Sequence, residues 1–264
     1  LDCDEPFTNL LTQGMVKLNG ETMSKSKGNV VAPETVIGQY GADTMRTYIM
    51  FMAPPEKDLE WEEEGVAGAH RWLKRVWTLA AHCAEDAASY SEDAASCETE
   101  AARTLIHEAH RLTKKVTVDI EDFQFNTAIA GLMELTNALY AYSNATEPAQ
   151  RSRAVYTDAL KRLVLMLAPI APHITEEMWQ TLLGHDESVH NQAWPDYDEA
   201  LTVTDTIELP VQINGKVRAR ITVASDADEA RVEAAAREAV LGALEGREIK
   251  RLIVVPGRIV TIVV

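Results

Sequence analysis

The sequence predicts a multidomain, mainly α protein: a short mixed segment over 1–60, an antiparallel helical bundle over 61–200, and a small C-terminal α+β domain of ββαββ order over 201–264. Three observations predict it. A chain of 264 residues is long for one small core at roughly 150 residues per domain. The apolar period changes twice along the chain, to three-to-four at Gly65 and to two after Leu201. Charge is also unevenly spread: of a formal net −16, residues 1–60 carry 5 basic and 9 acidic side chains, 61–204 carry 11 and 23, and 205–264 carry 9 of each. The middle is therefore acidic and the end locally neutral.

Taken in order, residues 14–23 read as a short hairpin, "MVKL" and "ETM" joined by Asn19-Gly20, a strong two-residue turn signal. Pro33-Glu34 opens a helical turn that ends near Gly41, and "ADTMRTYIMF" is a second helix stopped before Pro54-Pro55. The loop "MSKSKGN" thus lies between a hairpin and a helix. From Gly65, Val66, Ala69, Trp72, Leu73, Val76, Trp77 and Ala80 form one apolar stripe. Leu105 to Ile120, Ile129 to Leu139 and Leu160 to Leu167 repeat the pattern. Pro169 and Pro172 end the last, and "HITEEMWQTLL" starts another. Four or five such helices in sequence make an antiparallel bundle. "EDAASYSEDAASCETE", between the first two, reads as a solvated connection.

Beyond Leu201, Ile207, Leu209, Val211 and Ile213 alternate with polar residues, as do Val217, Ala219, Ile221 and Val223 after Asn214-Gly215. Pairing Ile213 with Val217 keeps the apolar face whole and predicts a loop of about three residues. A helix is expected from Asp226 to Leu244, with Ser225 as N-cap and Asp228 as the acidic partner of a capping box. "RLIVVPGRIVTIVV" supplies two strands around Pro256-Gly257.

Composition narrows the function classes. Hydrophobic residues at 46% and charged residues at 25% are ordinary globular values. No apolar run reaches the roughly 18 residues of a membrane span, and "LDCDEPFTNL" has no basic leader, so a soluble, intracellular protein without a membrane partner is expected. The start at Leu1 suggests a fragment of a longer chain. Cys3, Cys83 and Cys97 are odd in number and include no Cys-x-x-Cys, which argues against a disulfide framework and a structural zinc site and for reduced thiols. The net charge by itself argues against a nucleic-acid partner; its distribution leaves one open.

Common catalytic motifs are absent: there is no G-x-G-x-x-G and no P-loop. "HEAH" at His107 to His110 lacks the four-residue spacing of a zinc protease helix. Ser24-x-x-Lys27 lacks the companion motifs of a β-lactamase. The Ser-Lys loop makes better sense as an anion site, or else as a plain solvated basic loop. Small hydroxyls and Gly28 allow close approach of a polyphosphate, and an ammonium group is a compact countercharge.

"MSKSKGN" resembles the KMSKS signature of class I aminoacyl-tRNA synthetases, and "GADTMRTYIMF", "FNTAIAGLMELTNAL" and "LAPIAPHITEEMW" resemble the subclass for leucine, isoleucine and valine. "VQINGKVRARITV" and "IKRLIVVPGRIVTIVV" resemble the C-terminal domain of the bacterial leucyl enzymes. Neither the coiled coil of valyl enzymes nor the Cys-rich module of isoleucyl enzymes is present. The resemblance implies that 1–60 ends a class I catalytic domain. It implies an ATP-binding loop of Met23, Ser24, Lys25, Ser26 and Lys27, with Lys25 the catalytic residue that stabilises departing pyrophosphate. Thr22 replaces the usual first Lys, so a weaker electrostatic contribution is expected there.

The implied function is the C-terminal portion of a leucine-tRNA ligase, with ATP as substrate and Mg2+ expected from the reaction but no metal site in this stretch. The alternative is a non-catalytic tRNA-binding or assembly subunit that completes an active site in trans. The family's other ATP element, leucine pocket and editing domain belong upstream of Leu1, so leucine and ATP bind through that part. The stretch alone is expected to be inactive, and the complete protein a cytoplasmic monomer. Contacts with tRNA(Leu) are expected from Lys216, Arg218 and Arg220, which alternation puts on one strand face, extended by Lys250, Arg251 and Arg258. In the bundle Lys74 and Arg75 are candidates for phosphate contact, or else solvated. Trp72, Trp77 and Trp179 read as core rather than base-stacking platforms, and Asn126 and His173 as capping or packing groups.

Overall fold

The computed structural model describes residues 7–203, 206–224, 227–244 and 249–264, and it is mainly helical with two small sheets. Contacts divide the chain into two compact units, Leu1–Thr202 and Val203–Val264.

In the first unit β1 (Val16–Leu18) and β2 (Glu21–Thr22) form the expected hairpin. Asn19 at φ 54° and Gly20 at φ 76° make the left-handed turn that suits the strand twist. A parallel partner, β3 (Leu59–Glu60), pairs with the other edge of β1. Between them run α1 (Pro33–Tyr40) and α2 (Ala42–Met52). Only Gly41 separates these helices, at φ 87° and ψ 157°, a region that is almost exclusive to glycine. The buried cluster here is Val36, Tyr48, Trp61, Val66 and Ala69.

The bundle is α3 (Glu63–Asp86), α4 (Glu100–Glu121), α5 (Phe125–Ala145), α6 (Arg153–Leu167) and α7 (Pro172–Glu177), the last running into a π-helical turn at Met178–Leu182. Its core takes the stripe residues of every helix, among them Val76, Leu112, Leu132 and Leu163. Cys83 is part of that core, and burial pushes its thiol up to about 11; Cys3 lies outside the described residues.

The connection from α3 to α4 departs from the expectation of a solvated segment. Tyr90 is buried, Ser91 N donates to the Arg151 carbonyl at 2.9 Å, and Cys97 Sγ lies 3.1 Å from Ser152 Oγ. The cause is Arg151, only 6% exposed, which donates to Tyr90 Oη, Ser143 O and Thr146 O and lies over the rings of Tyr90 and Tyr156. A buried guanidinium requires such acceptors, and the connection supplies one of them.

In the second unit β4 (Thr206–Ile213), β5 (Lys216–Ala224), β6 (Arg251–Val255) and β7 (Ile259–Val263) form a sheet of order β5-β4-β7-β6, with α8 (Glu229–Ala239) in between in sequence. Leu209, Val211, Ile213, Ile221, Val260 and Ile262 pack against Val232, Ala236 and Val240. Two expectations are corrected. The β4–β5 loop has two residues, not three: Ile213 pairs with Lys216, and the partners then jump from Gln212–Val217 to Val211–Ala219. Asn214 and Gly215, at φ 47° and 82°, favour the tight turn. A β-bulge at Arg218 then restores the apolar register. Helix α8 also starts later than expected, with Asp228 itself as N-cap, accepting from Arg231 N at 2.8 Å. Ser225 and Asp226 lie outside the described residues.

Candidate functional site

The Ser-Lys loop is a short 3-10 turn at Lys25–Lys27 whose two ends are tied together. Asn29 accepts from Ser24 N through Oδ1 at 2.8 Å and donates through Nδ2 to the Thr22 carbonyl at 3.3 Å. Ser24 Oγ and Ser26 Oγ share a hydrogen bond of 2.7 Å. Met23 packs against the Tyr48 cluster and roots the loop in the core. The two lysines then differ. Lys27 Nζ is paired with Glu21 Oε2 at 3.0 Å. Lys25 is exposed; its carbonyl accepts from Gly28 N at 3.3 Å, and its ammonium group has neither a hydrogen bond nor an ion pair among the described residues. An anchored loop that presents one uncommitted ammonium group beside two hydroxyls can stabilise negative charge that develops on a polyanion.

In the bundle, Arg75 is engaged: it donates to Asn137 Oδ1 at 2.8 Å, lies 4.9 Å from the Tyr140 ring centroid, and offers its carbonyl to Tyr140 Oη. The Lys74 ammonium group has no such partner among the described residues, and Lys74 lines a cleft of about 520 Å³ together with His70, Trp77, His173 and Glu177. Trp72 and Trp179 are 4% and 5% exposed, so neither is open to a base; Trp77 is half-buried on that cleft. Asn126 stands in the first turn of α5, and its Oδ1 has no hydrogen-bond partner among the described residues.

In the C-terminal unit the bulge spreads the cations that simple alternation puts on one face. Lys216 pairs with Ile213 on the face that packs against α8, Arg220 pairs with Pro210 on the opposite face, and Arg218 is the extra residue between them. Val217 is 55% exposed instead of facing α8. Arg220 is also bonded to Glu208 Oε1 at 2.5 Å. Lys250 and Arg251 share an end of the sheet with Lys216: Arg251 pairs with Val263, and Asn214 in the β4–β5 turn donates to Ile262 O at 3.0 Å. β5 and β6 are the two edges, so Lys216 and Arg251 stand roughly three strand spacings apart, about 14 Å. Arg258, in the β6–β7 turn, is at the other end.

Residues 102–234 match the family described as the anticodon-binding domain of tRNA ligase, and residues 1–62 match the tRNA synthetases of class I for I, L, M and V. The chain belongs to the family of the tRNA ligase anticodon-binding domain. It is 45% identical over 266 residues to the leucine–tRNA ligase of Geotalea daltonii and 45% identical over 271 residues to that of Thermotoga petrophila; each alignment takes in 100% of this chain and 32% of the relative. The crystal structure of the agnB2 LeuRS–tRNA–LeuAMS ternary complex of Agrobacterium radiobacter K84 superimposes with a TM-score of 0.74 at 36% identity, over 99% of this chain and 33% of that one. The chain thus spans about a third of the length of the relatives it matches.

Within the family match of 1–62 lie both the loop and two residues to which the sequence assigned no role, Asp43 and Arg46. Asp43 is 8% exposed, and its carboxylate accepts from His173 Nδ1 at 2.8 Å and Ile174 N at 2.6 Å. Arg46 donates to the carbonyls of Ile170 and Pro169, both at 2.9 Å. The one signal available in the sequence is a charged pair three residues apart inside an otherwise uncharged helix. His173, read as a capping or packing group, is the exposed partner of that carboxylate.

Proposed function

We propose that this chain is the part of a leucine–tRNA ligase that closes over ATP and holds tRNA. Residues 1–60 act as the end of the catalytic domain, 61–200 as the anticodon-binding-type bundle, and 201–264 as a tRNA-binding domain. The leucine carboxylate attacks the α-phosphate of ATP, which enters with Mg2+ on its phosphates; the α–β bridging bond breaks and pyrophosphate leaves. Lys25 stabilises the charge that grows on the leaving group. Met23 anchors the loop, Ser24 and Ser26 offer hydroxyls to the phosphates, and Lys27 braces the turn through Glu21. The leucyl group then passes from the adenylate to the 3′ end of tRNA(Leu).

What supports this most is one contrast: Lys25 is the loop's uncommitted ammonium group, while Lys27 is already paired. For tRNA, Lys216, Arg218, Lys250 and Arg251 form the main phosphate-binding end, with Arg220, Arg258, Lys74 and Arg75 contributing less because of their partners or position. The complete ligase is read as a cytoplasmic monomer; no helix among the described residues is long and apolar enough to cross a membrane. In the complete ligase, Lys25→Ala is expected to lower leucine-dependent ATP–pyrophosphate exchange by roughly 10²–10³, the cost of one transition-state charge stabiliser. The KM for leucine stays put, because the interaction belongs to the transition state. Unchanged exchange kinetics would show that the loop does not serve the nucleotide.

A further inference from the structure

Two stretches that carry the family resemblance, "GADTMRTYIMF" and "LAPIAPH", are bonded to each other. Helix α7 begins at Pro172 with Ala171 in the N-cap position, which offers no side-chain acceptor. The N–H of Ile174 would then be one of the orphan donors of a helix start; Asp43 supplies the carboxylate from α2 and fixes the His173 ring with its other oxygen. Three residues further along α2, the Arg46 guanidinium takes the carbonyls that follow the end of α6 with two charge-assisted bonds. The α6–α7 junction is thereby clasped at both its acceptors and its donor by one turn of α2.

The same helix is rooted in the loop's own platform. Tyr48 lies at the centre of the Val36–Trp61–Val66 cluster, against which Met45, Ile49 and Met23 pack, and its hydroxyl accepts from Glu62 N at 2.7 Å. Gly41 lets α2 start directly after α1, which itself follows the loop. A rigid helix with the loop's root on one side and the bundle junction on the other sets where the loop stands.

We propose that Asp43 and Arg46 are positioning residues for Lys25: they touch no substrate, and they hold α2 against the bundle so that the ammonium group meets the leaving phosphates. This rests on the nucleotide-loop reading above. The test is a double-mutant cycle in the complete ligase, read by leucine-dependent ATP–pyrophosphate exchange. Asp43→Ala and Arg46→Ala are each expected to lower kcat by about tenfold to a hundredfold, the range that follows a small misplacement of a catalytic group, with the KM for leucine unchanged. Arg46 is exposed, so Arg46→Ala provides a variant that leaves the core intact should Asp43→Ala fold poorly. Combined with Lys25→Ala, either substitution should add almost nothing, because no ammonium group is left to position. Arg46→Lys should recover only part of the rate, since a flexible ammonium lacks the planar fork that holds both carbonyls in one geometry. Losses that multiply with that of Lys25→Ala, or full kcat in Arg46→Ala, would overturn the proposal. Full activity in Lys25→Ala would instead overturn the nucleotide-loop reading beneath it.

Discussion

His110 and His185 show how single side chains set the response to acid. His110 Nδ1 accepts from Asp198 N at 2.9 Å, a bond that only the unprotonated nitrogen can make, and burial holds its pKa below the usual 6.5. His185 stacks on Trp179 with ring centroids 3.9 Å apart, and burial lowers its pKa as well. The unfolded chain then takes up protons before the folded one, so this stability is full above 6.5 and is lost as pH falls through the lower folded values. Thermal melts should show Tm dropping as pH falls below about 6.5, and His110→Asn should flatten that slope; a slope unchanged by the substitution would remove His110 from the explanation. A second expectation concerns the two loop lysines. Lys27→Ala, which removes an exposed ion pair, should slow exchange far less than Lys25→Ala; the reverse order in exchange assays would mean that their roles are interchanged.

Elements stand or fall on a few local choices, and here sequence and structure part company in instructive places. The helices α3 to α6 are legible in the sequence because each buries one continuous stripe, and Pro169 follows the end of the last. The β4–β5 register is not, because two rules disagree: the apolar alternation asks for a three-residue loop, and Asn214-Gly215 asks for two. The structure satisfies both by placing the extra residue at Arg218, a solution that the pattern of one strand cannot reveal. The packed α3–α4 connection was hidden for another reason. Its small acidic residues look solvated, and the buried cation that secures it lies about sixty residues further on, at Arg151. Arg151→Ala should therefore leave Tyr90, Ser143 and Thr146 short of a donor and cost about 2–4 kcal/mol. Urea melts should give a lower midpoint with an unchanged slope, and proteolysis should begin within 87–99; cleavage elsewhere first would refute the clasp on that segment.

At the scale of the whole molecule, function follows from bringing together stretches that are far apart in sequence. The loop itself was readable from "MSKSKGN", since turn residues, hydroxyls and lysines are adjacent in the chain. The Asp43–His173 bond was not, because no local period connects residues 130 apart. The basic end of the C-terminal unit was readable in composition and not in shape: the bulge distributes Lys216, Arg218 and Arg220 around a strand end. In the complete ligase, Lys216→Ala with Arg218→Ala should flatten the log–log salt dependence of tRNA binding by roughly one unit per lost phosphate contact. Arg220→Ala should add less because Glu208 already holds it, and a salt slope identical to wild type would show that this end does not meet RNA. The central claim, that this chain serves leucine transfer to tRNA, is tested most directly by aminoacylation with the complete protein, tRNA(Leu), ATP and each of leucine, isoleucine, valine and methionine. Leucine should be the amino acid charged, with the rate collapsing in Lys25→Ala; charging of another amino acid, or leucine charging indifferent to Lys25, would contradict it.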